Sequence, residues 1–361
     1  MRAASVYWIV LFGLVVFCIT SCEKQNTDTE NYDNDIKNYD NDIKNTPISS
    51  IKIFNDAYLA DISFADDSVG YISGSVHEKY EAVIAKTTDG GNSWKEIPVS
   101  IDGKTTVRLE NIYAKNRNEI YGSFSATHWE DGNGTCYSND GGSTWTKIND
   151  IVWRELFYVT PQIGFMVNAS GDILKTQDGG KIWNTVHEAY GAIKYPNFYL
   201  SKCFFTSEKI GYAFGGAVLM SFAGPHIVFG GILKTTDGGD TWFGLEAWND
   251  SDYPVELVFT DDNTGYAFTF DNNIYQTTDG GDTWILFKSI SDIGYETYAV
   301  KTKNNDIYIS AFRKILKTTD KFESIKTIYN NDLRVGKAVQ ISDKSIFVFS
   351  IDDSSLIKID L

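Results

Sequence analysis

Apolar and polar positions follow one another along this chain in a unit that returns seven times. Each unit is an apolar stretch, a short polar turn and a second apolar stretch. The copies are DISFADDSVGYISG (61–74), ENIYAKNRNEIYGSF (110–124), ELFYVTPQIGFMVN (155–168), KCFFTSEKIGYAFG (202–215), ELVFTDDNTGYAFTF (256–270), TYAVKTKNNDIYIS (297–310) and GKAVQISDKSIFVFS (336–350). β-Branched and aromatic residues bounded by Asp, Asn, Ser and Gly predict pairs of strands joined by tight turns. Placing Tyr71, Ile120, Phe165, Tyr212, Tyr266, Ile307 and Ile346 at one aligned position sets the seven units in register.

A second repeat lies downstream of six of these units. The pattern T/S-x-D-G-G-x-x-W occurs at 87–94, 138–145, 176–183, 235–242 and 277–284, with a decayed copy, TTDKFESI, at 318–325. β-Prone residues flank each copy, so the pattern predicts a hairpin turn. The paired glycines supply positive φ, and the Asp carboxylate accepts backbone N–H groups across the turn. Asp89, Asp140, Asp178, Asp237 and Asp279 are therefore expected to be structural. The DGGD of two copies adds Asp240 and Asp282 but lacks the ligand order of a calcium loop.

The box aspartates are 51, 38, 59, 42 and 41 residues apart, a period at which one unit forms a small antiparallel sheet of a propeller. The expected fold is all-β: a seven-bladed β-propeller of four-stranded antiparallel blades over residues 48–361. The seventh unit ends in LIKIDL with no room for a fourth strand. ISSIKIF (48–54) stands unpartnered before the first unit, so it is expected to complete the last blade and close the ring.

These motifs resemble Asp-box (BNR) repeats. Together with the F-T-D-x-x-x-G-Y-A-F type of strand pair they are similar to the photosystem II stability/assembly factor-like family of seven-bladed propellers, across residues 48–361. The resemblance implies a binding scaffold whose box aspartates sit at structural turns. It does not carry one activity, because Asp-box propellers serve hydrolases, receptors and assembly factors alike.

The N-terminal pattern predicts an address and a tether. VYWIVLFGLVVF (6–17) is too short to span a bilayer and reads as the core of a signal peptide over residues 1–21. ITSC (19–22) resembles a lipobox, which would leave Cys22 as the lipidated first residue. NYDNDIK follows twice, at 31–37 and 38–44, with no apolar face, so residues 22–47 are expected to be the lipidated Cys and a flexible polar tether. Export to the bacterial outer membrane is the expected address, on its periplasmic or surface face.

Composition then narrows the partners. Of 361 residues, 42% are hydrophobic, enough for a large core, and the formal charge of −16 disfavours nucleic acid. Cys136 and Cys203, in different blades, are expected to be buried free thiols; neither belongs to a zinc-type spacing.

Topology places the boxes and the A-to-B turns on one face, and the B-to-C and D-to-A loops on the other. The opposite loops are long and aromatic, at 75–81, 126–134, 184–200, 217–229 and 244–254. They carry His77, His128, His187, His226, Trp129 and Trp248. Three residues before the aligned strand-A position stand Asp61, Glu110, Glu155, Lys202, Glu256, Thr297 and Gly336, an acidic series expected at the mouth of the central channel. The candidate binding set is thus Trp129, Trp248, His77, His128, His226, Asp61, Glu110, Glu155 and Glu256. No metal, cofactor or catalytic residue is expected, since no His pair has ligand spacing. A monomeric propeller binding an envelope protein through this face fits best. A glycan ligand is the alternative, and a glycoside hydrolase using paired acids at the channel mouth is a further one. A sialidase is excluded: beyond the signal there are only Arg108, Arg117, Arg154, Arg313 and Arg334, and no F/Y-R-I-P segment precedes the first box.

Overall fold

The computed structural model describes residues 48–361 apart from 77–80, 106, 127–131, 189–197, 222–223, 246–251, 291–296, 331–333, 342–343 and 351–352. The proposed signal, Cys22 and the tether lie outside the described residues.

Seven four-stranded antiparallel sheets form the chain's blades. In blade 1 the strands, A to D from the axis outward, are Ala57–Phe64, Gly70–Val76, Ala82–Thr87 and Lys95–Pro98. Blades 2 to 6 repeat that order along the sequence. Blade 7 takes Val335–Ile341, Ser345–Ser350 and Ser355–Asp360 from the C-terminal end and Ile48–Lys52 as its outer strand, with Ile48 opposite Ile359 and Lys52 opposite Ser355. The ring closes as the orphan strand predicted, and hydrogen bonding replaces a free sheet edge.

Burial explains the pattern of each strand. A B strand is covered on both faces by neighbouring blades, so Gly265–Thr269, Ile307–Ala311 and Ser345–Ser350 are buried at every position. The D strand faces solvent: Lys95–Pro98 is mostly exposed. Among the described residues the core consists of seven hydrophobic clusters, one in each gap between adjacent blades. Tyr71 and Ile84 of blade 1 meet Leu109 and Ile120 of blade 2, and Phe347 and Phe349 of blade 7 meet Ile62 and Ile72 of blade 1. Each such side chain, fully buried, contributes about 1.5–3 kcal/mol.

The boxes are the turns between strands C and D. In blade 3 the Thr176 hydroxyl donates to Asp178 Oδ1 at 2.9 Å and accepts from Gly180 N at 2.9 Å, while Asp178 Oδ1 also accepts from Lys181 N and Ile182 N, each at 3.0 Å. Asp89, Asp140, Asp237 and Asp279 repeat this arrangement and add a Ser or Thr hydroxyl on Oδ2. The second glycine of the box must be small, because the next blade's box rests on an aromatic ring. A Cβ on Gly91, at φ +82°, would stand 2.4 Å from Phe347, and one on Gly239 2.3 Å from Phe165.

The decayed copy keeps the turn without glycine. Lys321 and Phe322 adopt φ of 57° and 70°; the Asp320 carboxylate still accepts from Thr318 and Ser324. The Phe322 ring is fully buried beside Tyr266, at 4.6 Å between centroids.

Two expectations need correcting here. Residues 217–229, read as a loop, are largely paired strand: Gly211–Ser221 and Gly224–Thr235 form one long hairpin with Ala217 opposite Phe229 and Leu219 opposite His226. His187 is likewise no loop residue; it ends the outer strand Asn184–His187 of blade 3, opposite Ile173. Alternating Val, Leu, Ile and Phe favour pairing over a loop in the first case, and in the second the first four residues of the segment form the outer strand.

Candidate functional site

Strand A of each blade lines the central channel, and its first residues set the channel mouth. In blades 1 to 5 strand A carries a register shift there, at Leu59/Asp61, Leu109/Asn111, Trp153/Glu155, Leu200/Lys202 and Pro254/Glu256; blade 7 shifts at Val335/Ala338. Blade 6 runs regularly through Tyr298, opposite Ser310. A bulge adds one residue and re-aims the side chains before it. The position facing the mouth is therefore held by Asp61, Asn111, Glu155, Lys202, Glu256, Tyr298 and Lys337.

This ring corrects the expected one in blades 2, 6 and 7. Glu110, Thr297 and Gly336 do not hold the mouth position, because the residues equivalent to Tyr71 are Tyr121, Tyr308 and Phe347, each one residue beyond the Ile on which its unit is aligned. One residue of slip turns a strand side chain to the other face. Glu110 is exposed, and its carboxylate accepts from Ser125 Oγ at 2.5 Å. Its neighbour Asn111 lines the channel and donates to Trp153 O at 2.9 Å.

The mouth opens into a cavity of about 550 Å³ with polar and apolar walls. Asp61 is buried and fully engaged: Ile62 N donates to it at 2.8 Å, Ile112 N of blade 2 at 2.9 Å, and Lys337 Nζ of blade 7 at 2.5 Å. Glu256 accepts from Leu257 N at 3.1 Å and from Lys202 Nζ at 2.7 Å, and that ammonium also sits 4.3 Å from the centre of the Tyr298 ring. Burial alone would pull the Lys202 ammonium down; Glu256, Tyr298 and Glu155 more than offset it and hold its pKa above the ordinary value. Lys337 is raised in the same way, against burial, by Asp61 and Glu155.

Glu155 differs from its neighbours. Its carboxylate has no hydrogen bond or ion pair among the described residues, and burial pushes its pKa up to about 7. The charges of Lys337 and Lys202 pull it down, while Asp61 and Glu256 push it up. Glu155 is thus an unpartnered carboxyl, raised by burial toward neutral pH, between two satisfied ion pairs.

Of the other candidates, His77, His128, Trp129 and Trp248 lie outside the described residues, and His226 stands in the blade 4 hairpin. Among the described residues no group of three or more His, Cys, Asp or Glu could hold a metal ion. Asp240 and Asp282 are occupied by lysines of the preceding blade, Lys175 at 2.6 Å and Lys234 at 2.5 Å. Sequence reasoning missed Lys337, which stands before Phe347 at the spacing of Asp61 to Tyr71, because the seventh unit is aligned on Ile346; its partner lies 276 residues away.

The box carboxylates are consumed by their own turns. Hydroxyl and backbone donors hold Asp89, Asp140 and Asp279 down to about 2, with Ser93, Thr144 and Thr283 as the leading causes. The boxes also bind blades together. Tyr121 OH donates to Gly179 O at 3.1 Å, and Tyr212 OH to Gly280 O at 2.6 Å. First box glycines reach the A-to-B turn of their own blade, as in Gly90 N to Ser68 O at 2.9 Å. Boxes and A-to-B turns thus share one face, away from the mouth.

Fold and site define the class: a seven-bladed Asp-box propeller with a charged channel mouth. The chain is similar to photosystem II assembly factors of the Ycf48 type. The family model described as photosynthesis system II assembly factor YCF48 matches residues 41–194. The photosystem II assembly lipoprotein Ycf48 of Synechococcus sp. (strain CC9902) is 26% identical over 156 residues, 41% of this chain and 43% of that protein. The chain therefore matches less than half the length of that curated relative.

Among solved structures, YCF48 bound to D1 peptide covers 87% of this chain and 96% of its own at 16% identity and a TM-score of 0.62. A Niastella koreensis GH74 enzyme covers 80% of this chain and 50% of its own at 13% identity and a TM-score of 0.53. These structural likenesses establish the shared propeller fold.

Proposed function

We propose that this protein is an exported, lipid-anchored propeller that binds a protein partner without catalysing a reaction, using the face on which strands A begin. The observation that carries this reading is the division of labour between the two faces. On one, every described box carboxylate is used up in its own turn. On the other, a cavity of about 550 Å³ is ringed by charged side chains from most of the blades. The likeness to YCF48, solved with a D1 peptide bound, supports a polypeptide ligand.

A glycosidase needs one carboxylic acid and one free carboxylate across the scissile bond. Asp61 is spent on two backbone amides and Lys337, and Glu256 on Leu257 N and Lys202. That leaves Glu155 without a second acid free to act with it, which favours binding over hydrolysis. The ITSC sequence at Cys22 and the lipoprotein name of the Synechococcus relative support a lipid anchor, and an outer-membrane site fits an exported tether.

The test is photo-crosslinking from two faces in the native membrane. A photoreactive amino acid in place of Arg154, at the mouth, should trap one protein partner; the same amino acid in place of exposed Lys181, in a box, should trap none. Trapping from position 181 alone would overturn the proposal.

A further inference from the structure

The mouth cavity has walls suited to a long side chain and one carboxylate with nothing to hold. Phe157, Phe204, Phe214 and Leu257 supply apolar wall, and Glu155 faces the same space. The other charges that face Glu155 are matched, Asp61 with Lys337 and Glu256 with Lys202, while Arg154 stands exposed at the rim. With Glu155 ionised, it and the two matched pairs carry one uncompensated negative charge. A second anion would add to that excess, whereas a cation would cancel it.

We propose that the cavity receives an arginine or lysine side chain of the protein partner, its apolar stem along Phe157 and Phe204 and its cationic head on the Glu155 carboxylate. This rests on the reading of the mouth face as the protein-binding face. The chemistry is that of a snorkelling side chain: methylenes against apolar wall, charge at a polar group. A bare metal ion fits less well, because two of the three acids are held by lysines and the described residues form no metal-type cluster. The Tyr298 ring already carries Lys202 on its face, so the incoming cation is left to the carboxylate. Arg154, exposed at the rim, has its guanidinium 3.5 Å from Ala169 O.

Burial and the charges of Lys337, Asp61, Lys202 and Glu256 set the protonation of Glu155, and Tyr298 and Arg154 line the same cavity. Because its carboxyl loses its proton around pH 7, binding of a cation should strengthen with rising pH through that range.

The test uses the full mature chain in detergent and three fluorescein-labelled probes: Gly-Ser-Arg-Ser-Gly amide, the same peptide with citrulline for arginine, and Gly-Ser-Gly with a free carboxylate. Citrulline keeps the shape and removes the charge. The arginine probe should bind about tenfold more tightly than the citrulline probe, the scale of a charge-assisted hydrogen bond. Glu155→Gln should abolish that preference, while Glu96→Gln on the exposed outer strand of blade 1 should leave it intact. Between about pH 6 and pH 8 the wild-type preference should grow about tenfold, following the ionised fraction of Glu155.

Equal binding of the arginine and citrulline probes, an unchanged Glu155→Gln variant, or tightest binding of the carboxylate probe would each overturn the inference. The pH series needs no variant, so a poorly folding Glu155→Gln protein would not blunt the test. If crosslinks form from position 154 while the probes bind equally, this inference fails and the binding face stands. Crosslinks from position 181 alone would sink the face itself.

Discussion

Lys337 of the last blade donates to the Asp61 carboxylate of the first at 2.5 Å, across 276 residues of chain. The same carboxylate accepts from its own blade at Ile62 N and from the second blade at Ile112 N. One side chain therefore ties three blades at the point where the ring closes. Asp61→Ala would leave two buried amides and a lysine without their acceptor. The expected loss is about 3 kcal/mol, read from the denaturation midpoint at unchanged slope. A change below about 0.5 kcal/mol would show that closure does not depend on this carboxylate.

The boxes should be structural through their hydroxyls as much as through their acids. Thr176 is fully buried and satisfies Gly180 N. Thr176→Val keeps the shape and orphans that amide, which should cost about 1–3 kcal/mol in a thermal or chemical melt. Partner binding at temperatures where the variant is folded should be unaffected.

The box acids also set an acid limit. Asp89, Asp140 and Asp279 have folded-state pKa values near 2, below the ordinary 3.8. A depressed carboxylate contributes stability that is present above its unfolded pKa and lost as pH falls through the folded value. The melting temperature should drop between about pH 4 and pH 2, and less steeply in a variant with Asn at all three positions. An equal drop in both proteins would contradict the turn assignment.

Glu155 should act in the opposite direction. Its folded pKa of about 7 lies above the ordinary 4.5. A raised carboxyl contributes stability that is fully present below its unfolded pKa and lost as pH rises through the folded one. Between about pH 4.5 and pH 7 the wild type should lose stability relative to Glu155→Gln, by about 2 kcal/mol after allowance for its partial exposure. Melts of the two proteins over that range check it, and parallel curves would contradict it.

Cys136 and Cys203 are both free and buried, as their blade positions implied. Burial raises both thiols above their ordinary pKa, so neither is a ready nucleophile. A thiol reagent should find no reaction at either position in the folded protein and two reactive groups once it is unfolded without reductant. A single reactive group on unfolding would mean that one of the pair is blocked.

Much of the ring was legible in the sequence because its signals are local. The box spells out its own turn, so Asp178 could be read as a turn residue, though the Thr176 hydroxyl was not, and ISSIKIF had no partner except LIKIDL. The mouth was harder. Asp61, Glu155 and Glu256 line the mouth as expected, because Tyr71, Phe165 and Tyr266, on which their units are aligned, are equivalent in the blades. Glu110 does not: Asn111 holds the equivalent position, opposite Ser123 as Asp61 is opposite Ser73. A bulge and a one-residue difference in alignment leave almost no trace in composition, yet they decide which side chain faces the channel. Lys337 escaped because the seventh unit is aligned on Ile346 in place of Phe347, and its pairing with Asp61 is made only by closing the ring.

In the proposed division, the mouth face binds and the box face holds the fold. Hydrogen–deuterium exchange of the mature chain, free and with its crosslinked partner, tests this most directly. Protection should appear at the starts of strands A, around Asp61, Asn111, Glu155 and Lys202, with the turns at Asp89, Asp178, Asp237 and Asp279 unchanged. Protection confined to those turns, with the mouth exchanging as in the free protein, would contradict it.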